Sequence, residues 1–180
     1  MITSGQLIEI PISKSKLILI IIGSLVFVGL GVLFIMNPER YTSPIMRNPT
    51  IIFISGLASI IFFGFCTPFF FKQLRDKSPG LKISDQGIYD NSSGVSAGQI
   101  LWKDIEDIHV IKIHRQRMII LQVNNPQDYI EKQTSKFKRK MMTINMKMYG
   151  SPLFLTSNGL KVSFDELYTT LIDKLKASRQ

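Results

Sequence analysis

The chain has 180 residues, with 22 Lys/Arg against 13 Asp/Glu for a formal net charge of +9, and a mean hydropathy of +0.16 that is high for a wholly soluble protein. A single cysteine, Cys66, excludes an intramolecular disulfide. Two long apolar stretches leave only about a hundred residues for a soluble domain, enough for one modest core and too few for two.

Residues Met1 to Lys16 include the alternating run Leu7-Ile8-Glu9-Ile10, then Pro11, Lys14 and Lys16. Short alternation reads as an extended segment. Either it adds a strand to a sheet edge of the distal domain or it is a frayed terminus. Leu17 to Met36 follows, LILIIIGSLVFVGLGVLFIM, without a charged residue. At 1.5 Å per residue it spans about 30 Å, the hydrocarbon thickness of a bilayer. Its apolar core is too long for a signal peptide and no small-x-small cleavage site follows, so an uncleaved anchor is expected.

A Pro-rich connector at 37–49 (Pro38, Pro44, Pro49) precedes a second apolar stretch, Thr50 to Phe71. Lys14 and Lys16 flank the first span, and Lys72, Arg75 and Lys77 follow the second. The connector holds Arg40 and Arg47, partly offset by Glu39. The positive-inside bias places both termini in the cytoplasm. Gly23, Gly29, Gly31, Gly56 and Gly64 are small enough to let the two spans pack as a hairpin. Pro68 is expected to kink the second span, with Thr67 available to satisfy a freed backbone group. The spans carry no ionisable side chain other than the Cys66 thiol, which reads as a small apolar filler. That argues for anchoring rather than transport or proton relay.

Beyond the linker 72–79 the pattern changes to short strands. Leu81-Lys82-Ile83-Ser84, the turn Asp85-Gln86-Gly87 and Ile88-Tyr89-Asp90 read as a hairpin. After a Ser/Gly-rich loop at 91–98 come strands at Gln99–Trp102, Ile105–Ile113 and Arg117–Val123, a meandering antiparallel sheet. Charged residues interrupt both alternations within Ile105–Ile113, which a bulge near Asp107 would explain.

Pro126 opens a basic segment with a helix expected from about Gln127 to Met141. It carries Lys132, Lys136, Lys138, Arg139 and Lys140, with Lys147 beyond. Ile130, Phe137, Met141, Ile144 and Met148 recur at roughly helical spacing, so the helix is open to extension. The stripe either packs on the sheet as a solvated insertion or lies on an anionic leaflet, each basic residue near the surface then contributing about 1 kcal/mol. The chain closes with a strand at Leu153–Thr156, a turn at Asn158-Gly159 and a helix from Ser163 to about Ala177. Ser163 and Glu166 form a capping-box pattern, and Phe164, Leu167, Leu171 and Leu175 form an apolar stripe.

These elements define an α+β membrane protein: a cytoplasmic segment (1–16), a transmembrane hairpin (17–71, with spans 17–36 and 50–71), a linker (72–79) and a sheet domain (80–180) capped by a C-terminal helix. Gly80-Leu81-Lys82-Ile83, Gly87-Ile88-Tyr89, the I-x-W-x-D-I pattern of Ile100 to Ile105 and the helix start Ser163-Phe164-Asp165-Glu166-Leu167 give this region its character. It resembles a bacterial PH-like domain of the PH and GRAM type. With the two spans, the whole chain resembles a family of small bacterial membrane proteins of this architecture. The resemblance implies a bent antiparallel sheet or barrel with an inserted helix and a C-terminal capping helix, located at the inner membrane. It implies no activity. The first hairpin turn, Ser84-Asp85-Gln86-Gly87, is acidic where a lipid-phosphate site would place Lys and Arg.

Trp102 reads as a core aromatic on a strand whose indole N–H finds a partner, and Asp104 as a backbone acceptor at the strand start. Asp104, Glu106 and Asp107, with Lys103 and Lys112 nearby, read as a salt-bridged surface. His109 and His114 fall on opposite faces of a continuous strand, which does not make a metal site. No nucleophile, phosphate-loop or dinucleotide motif occurs. No enzyme, cofactor or nucleic-acid role is therefore expected. The leading expectation is a membrane-anchored interaction module that binds a protein segment, or itself, through a sheet edge or groove. The alternative is a sensor of anionic lipid head groups using Lys132, Lys136, Lys138, Arg139, Lys140 and Lys147.

Overall fold

The computed structural model describes residues 7–43 and 48–179 in two compact units, Lys14–Lys77 and a second built from the flanking segments, to Ser13 and from Ser78 onward. The connector residues Pro44 and Arg47 lie outside the described residues.

The first unit holds α1 (Lys14–Met36) and α2 (Pro49–Arg75). By length and composition both are able to cross a membrane. Their most apolar windows have mean hydropathies of 3.0 and 2.1 and are only 17% buried, so apolar side chains such as Leu19 and Phe65 point outward. The helices meet through Gly31 and Gly56: a Cβ on Gly31 would stand 2.8 Å from the Gly56 carbonyl oxygen, and one on Gly56 would stand 2.8 Å from that of Gly31. A Cβ on Gly23, Gly29 or Gly64, also expected at the seam, would meet no atom of the other helix within 4 Å. Elsewhere hydroxyl and aromatic contacts add to the aliphatic packing of buried residues such as Ile21 and Ile52. Ser59 Oγ donates to the Phe27 carbonyl at 2.9 Å, Thr67 Oγ1 lies 3.2 Å from Ser24 Oγ, and Phe27 stacks on Phe63. The helix runs unbroken past Pro68. Thr67 Oγ1 donates to the Phe63 carbonyl, 2.6 Å away, and not to that of Gly64, four residues before Pro68 and so the one deprived of its donor.

Among the described residues the second unit contains two antiparallel sheets. The first has the order β1 (Ile8–Ile10), β2 (Leu81–Ile83), β3 (Gly87–Asp90), β4 (Gly98–Leu101). The N-terminal alternation is thus an edge strand, Ile8 opposite Ile83 and Ile10 opposite Leu81. The segment stays tied to the domain beyond β1, because Lys161 donates its N–H to the Pro11 carbonyl and Ser13 donates to that of Gly159. Gly80 and Gly87 permit close approaches: a Cβ on Gly80 would meet Leu160 and Ile12, and one on Gly87 would run into the Ile100 carbonyl.

The second sheet has the order β5 (Ile105–Ile113), β6 (Gln116–Val123), β7 (Leu153–Leu155). The register shifts between Ile105 and Asp107, the bulge that the interrupted alternation implied. The sheets do not close into a barrel, one of the two forms expected. The chain turns from β4 to β5 through a 3-10 turn, Trp102–Asp104, and β4 and β5 are not paired. Trp102 is therefore on that turn and not on a strand. It is buried, and its Nε1 donates to the Ser84 carbonyl at 2.8 Å.

Among the described residues three helices complete the unit: α3 (Pro126–Glu131), α4 (Lys136–Tyr149) and α5 (Phe164–Ala177). α5 begins as the capping pattern implied, Ser163 Oγ accepting the Glu166 N–H, and it buries Leu167, Leu171 and Leu175. These leucines join Leu81, Ile83, Ile88, Ile100, Ile119, Leu121, Leu153 and Leu155 in one core, so the helix covers the interior faces of both sheets.

Candidate functional site

The single helix expected at 127–141 is two helices with a break at Lys132–Ser135. The cause is local and tertiary together. Ser135 caps α4 by accepting the Lys138 N–H, while Gln133 turns inward and its Nε2 donates to the carbonyls of Tyr129 and Ala97. Gly150 then ends α4 in the left-handed conformation, φ 79°, with its N–H on the Met146 carbonyl.

The break rotates the apolar stripe out of register. Ile130 is buried on α3, but on α4 the residue sealed into the core is Met142, which is fully buried, with Met146 partly buried beside it. Phe137, Ile144 and Met148 remain 63%, 36% and 64% exposed. They are seven and four residues apart, on one side of the helix. Lys136, Lys140 and Lys147 form an adjoining exposed strip at spacings of four and seven, and with Arg139, Thr143 and Ile144 they border a shallow groove. α4 thus presents an apolar ridge edged by lysines, opposite the side that packs on the domain.

The six basic residues singled out from sequence divide. Lys136, Lys140 and Lys147 occupy this face, and Lys132 is exposed at the break between the helices. Lys138 turns the other way: its Nζ donates to the Ser96 carbonyl at 3.1 Å and lies 3.3 Å from Ser96 Oγ. It thereby closes the loop governed by Asp90, a buried carboxylate that accepts from Ser92 N–H, Ser92 Oγ and Ala97 N–H. Burial raises the Asp90 pKa above the ordinary carboxylate value, and these donors with the Lys138 charge work against that rise. Arg139 Nη2 donates to the carbonyls of Glu131 and Gln133 and so stiffens the break.

Asp104 is not a backbone acceptor through its side chain. Its Oδ2 accepts from Tyr129 Oη at 2.7 Å, and Tyr129 Oη in turn accepts the Leu101 N–H at 3.2 Å. Burial and the neighbouring carboxylate push the Tyr129 pKa up to about 12, so the hydroxyl stays a donor throughout the physiological range. Beside it lies an open cavity of about 160 Å³ lined by Gln99, Leu101, Asp104, Asn125, Asp128, Tyr129 and Lys132. Asn125 Nδ2 donates to Asp128 there, while Asn125 Oδ1 is buried and has no partner among the described residues. Among the described residues neither Lys103 nor Lys112 forms an ion pair with the carboxylates near it. Asp107 faces His109 at 3.7 Å, and Asp85 in the first hairpin turn pairs with Lys174 of α5. Among the described residues no group of three or more His, Cys, Asp or Glu is placed to hold a metal ion.

Comparison with protein-family models, with curated proteins and with solved structures finds no match to this chain. The functional reading therefore rests on the geometry of α4 and of the sheet edges.

Proposed function

We propose that this protein is a two-span bacterial inner-membrane protein whose cytoplasmic PH-like domain, without catalysis, reads the anionic membrane surface through α4. The observation that carries the reading is the exposed face of that helix, with Phe137, Ile144 and Met148 beside Lys136, Lys140 and Lys147. Large apolar side chains on a soluble surface are uncompensated, but at a head-group boundary they enter the acyl region while the lysines meet lipid phosphates. Three lysines contribute about 3 kcal/mol at an anionic surface.

Chain connectivity supports the placement. β1 precedes α1 and β2 follows α2, and the two strands pair, so both flanks of the helical hairpin belong to one domain, which supports a reading with both flanks on the same side of the bilayer. Five residues separate α2 from β2, a reach of about 18 Å at full extension. The flanking cations Lys14, Lys16, Lys72, Arg75 and Lys77 favour the cytoplasmic side. Four-stranded and three-stranded antiparallel sheets with a C-terminal helix over their open side support the PH-like reading.

Lysine acetylation footprinting of the full chain tests this in vesicles of phosphatidylcholine alone or with phosphatidylglycerol. Lys136, Lys140 and Lys147 become protected in the anionic vesicles and lose that protection in 1 M salt, while exposed Lys103 reacts equally throughout. Equal labelling of the α4 lysines in both lipids contradicts the reading. Binding of a protein partner keeps one specific observation in its favour, the outer edge of β5.

A further inference from the structure

The free edges of the two sheets are treated unequally. On β4 the Leu101 N–H is taken by Tyr129 and the Ala97 carbonyl just before the strand by Gln133, so side chains blunt that edge. β7 is three residues long and lies beside α4. On β5, Arg179 Nη2 covers only the first two carbonyls, of Ile105 and Glu106. From Asp107 to Ile113, among the described residues, the strand pairs with β6 alone. Val110 is 39% exposed although its cross-strand partner Ile119 is fully buried, which marks the point where cover stops. A long, partly apolar edge of unpaired backbone is a template for another strand.

We propose that this edge pairs antiparallel with β5 of a second copy, joining two three-stranded sheets into one six-stranded sheet. Charge selects that occupant. Acidic Glu106 and Asp107 stand at the start of the strand, and Lys112, His114 and Arg115 at its end and turn, all exposed. An antiparallel copy sets each acidic end beside the other's basic end, twice by symmetry, whereas a parallel copy sets like beside like. Natural edges are commonly protected by charge of one sign, which repels a copy. Segregating the two signs along one strand does the reverse. Anchoring both copies in one membrane raises their effective concentration, so a short strand interface suffices. The edge lies across the sheet from β7 and α4, so this pairing is independent of the lipid reading.

The test uses the full chain in vesicles with Cys66→Ser and one cysteine introduced on β5. His109→Cys, at the middle of the free edge, is expected to form a disulfide-linked homodimer on mild oxidation, and Lys103→Cys is not. Glu106→Lys with Asp107→Lys is expected to weaken dimerisation at least tenfold, and adding Lys112→Glu and Arg115→Glu to restore it, which separates lost pairing from lost folding. A chain that stays monomeric, a His109→Cys crosslink to a different protein, or a dimer indifferent to both charge sets overturns the proposal. Lipid footprints on α4 are expected to be unchanged in all these variants, so failure here leaves that reading standing, and the converse holds.

Discussion

α4 and α5 are both amphipathic, both 14 residues long and both capped by a serine, yet they spend their apolar residues differently. α5 puts Leu167, Leu171 and Leu175 into the core. α4 commits Met142 and leaves Phe137, Ile144 and Met148 outside. The same 3.6-residue periodicity thus serves packing in one helix and an external surface in the other, and only the fold distinguishes them. This sharing of apolar residues between core and surface is the observation on which the proposed lipid contact rests.

The largest effect expected from this contrast is on stability. Leu171→Ala should cost about 2–5 kcal/mol, as for a fully buried leucine, whereas Phe137→Ala should stay within about 0.5 kcal/mol, as for an exposed site. Denaturant unfolding followed by the fluorescence of Trp102, the only tryptophan, reads both. Equal losses at the two sites would erase the distinction. Next is lipid affinity: Lys136→Gln, Lys140→Gln and Lys147→Gln together should weaken contact with anionic vesicles by about 3 kcal/mol, roughly a hundredfold, without moving the denaturation midpoint. The matching change on α5, Lys176→Gln, should leave the contact unaltered.

A smaller effect separates the supports of the helices. Asp90→Asn should cost about 1–3 kcal/mol, because an amide cannot accept from all the donors that the carboxylate satisfies. The sign of its pH dependence follows from burial. Since the Asp90 pKa is raised on folding, the stability linked to it is greatest below pH 3.8 and is lost as pH rises through the raised value. Asp90→Asn should remove that slope from a titration of unfolding free energy. Tyr129 behaves in the same sense at the other extreme: its contribution is full below pH 10 and is lost as pH rises through about 12, and Tyr129→Phe should flatten that alkaline limb. The smallest change is at the caps, where Ser163→Ala and Ser135→Ala each remove about 1 kcal/mol of helix support. Only the first should lower the midpoint of the whole domain, since α5 is core and α4 is mostly surface.

Much of the architecture is legible in the amino-acid order because it is local. The charge-free run Leu17–Met36, the broken alternation around Asp107 and the Ser163 cap each carry their reason within a few residues. The break between α3 and α4 was half legible: Thr134-Ser135 is a helix-start signal inside the basic segment, but Gln133 is drawn inward by Ala97, 36 residues away. Asp104 was misread for the same reason, because Tyr129 stands 25 residues from it in sequence. In the candidate site, periodicity taken across the break groups Ile130 with Phe137, Ile144 and Met148, but the fold buries Ile130 and Met142 and leaves the other three exposed. Lys138 illustrates the limit, since nothing local distinguishes a lysine directed at Ser96 from the neighbours directed at solvent.

The central claim is that the outer face of α4 touches lipid, and spin labels at its ridge address it most directly. Phe137→Cys and Met148→Cys, in a Cys66→Ser background, are labelled in the full chain and reconstituted into vesicles containing phosphatidylglycerol. Thr169→Cys on the exposed side of α5 serves as reference. Collision with oxygen should rise and collision with a water-soluble nickel chelate should fall at 137 and 148, reverting in phosphatidylcholine alone, while 169 remains aqueous. Labels at 137 and 148 that stay as water-accessible as 169 in anionic vesicles would contradict the account.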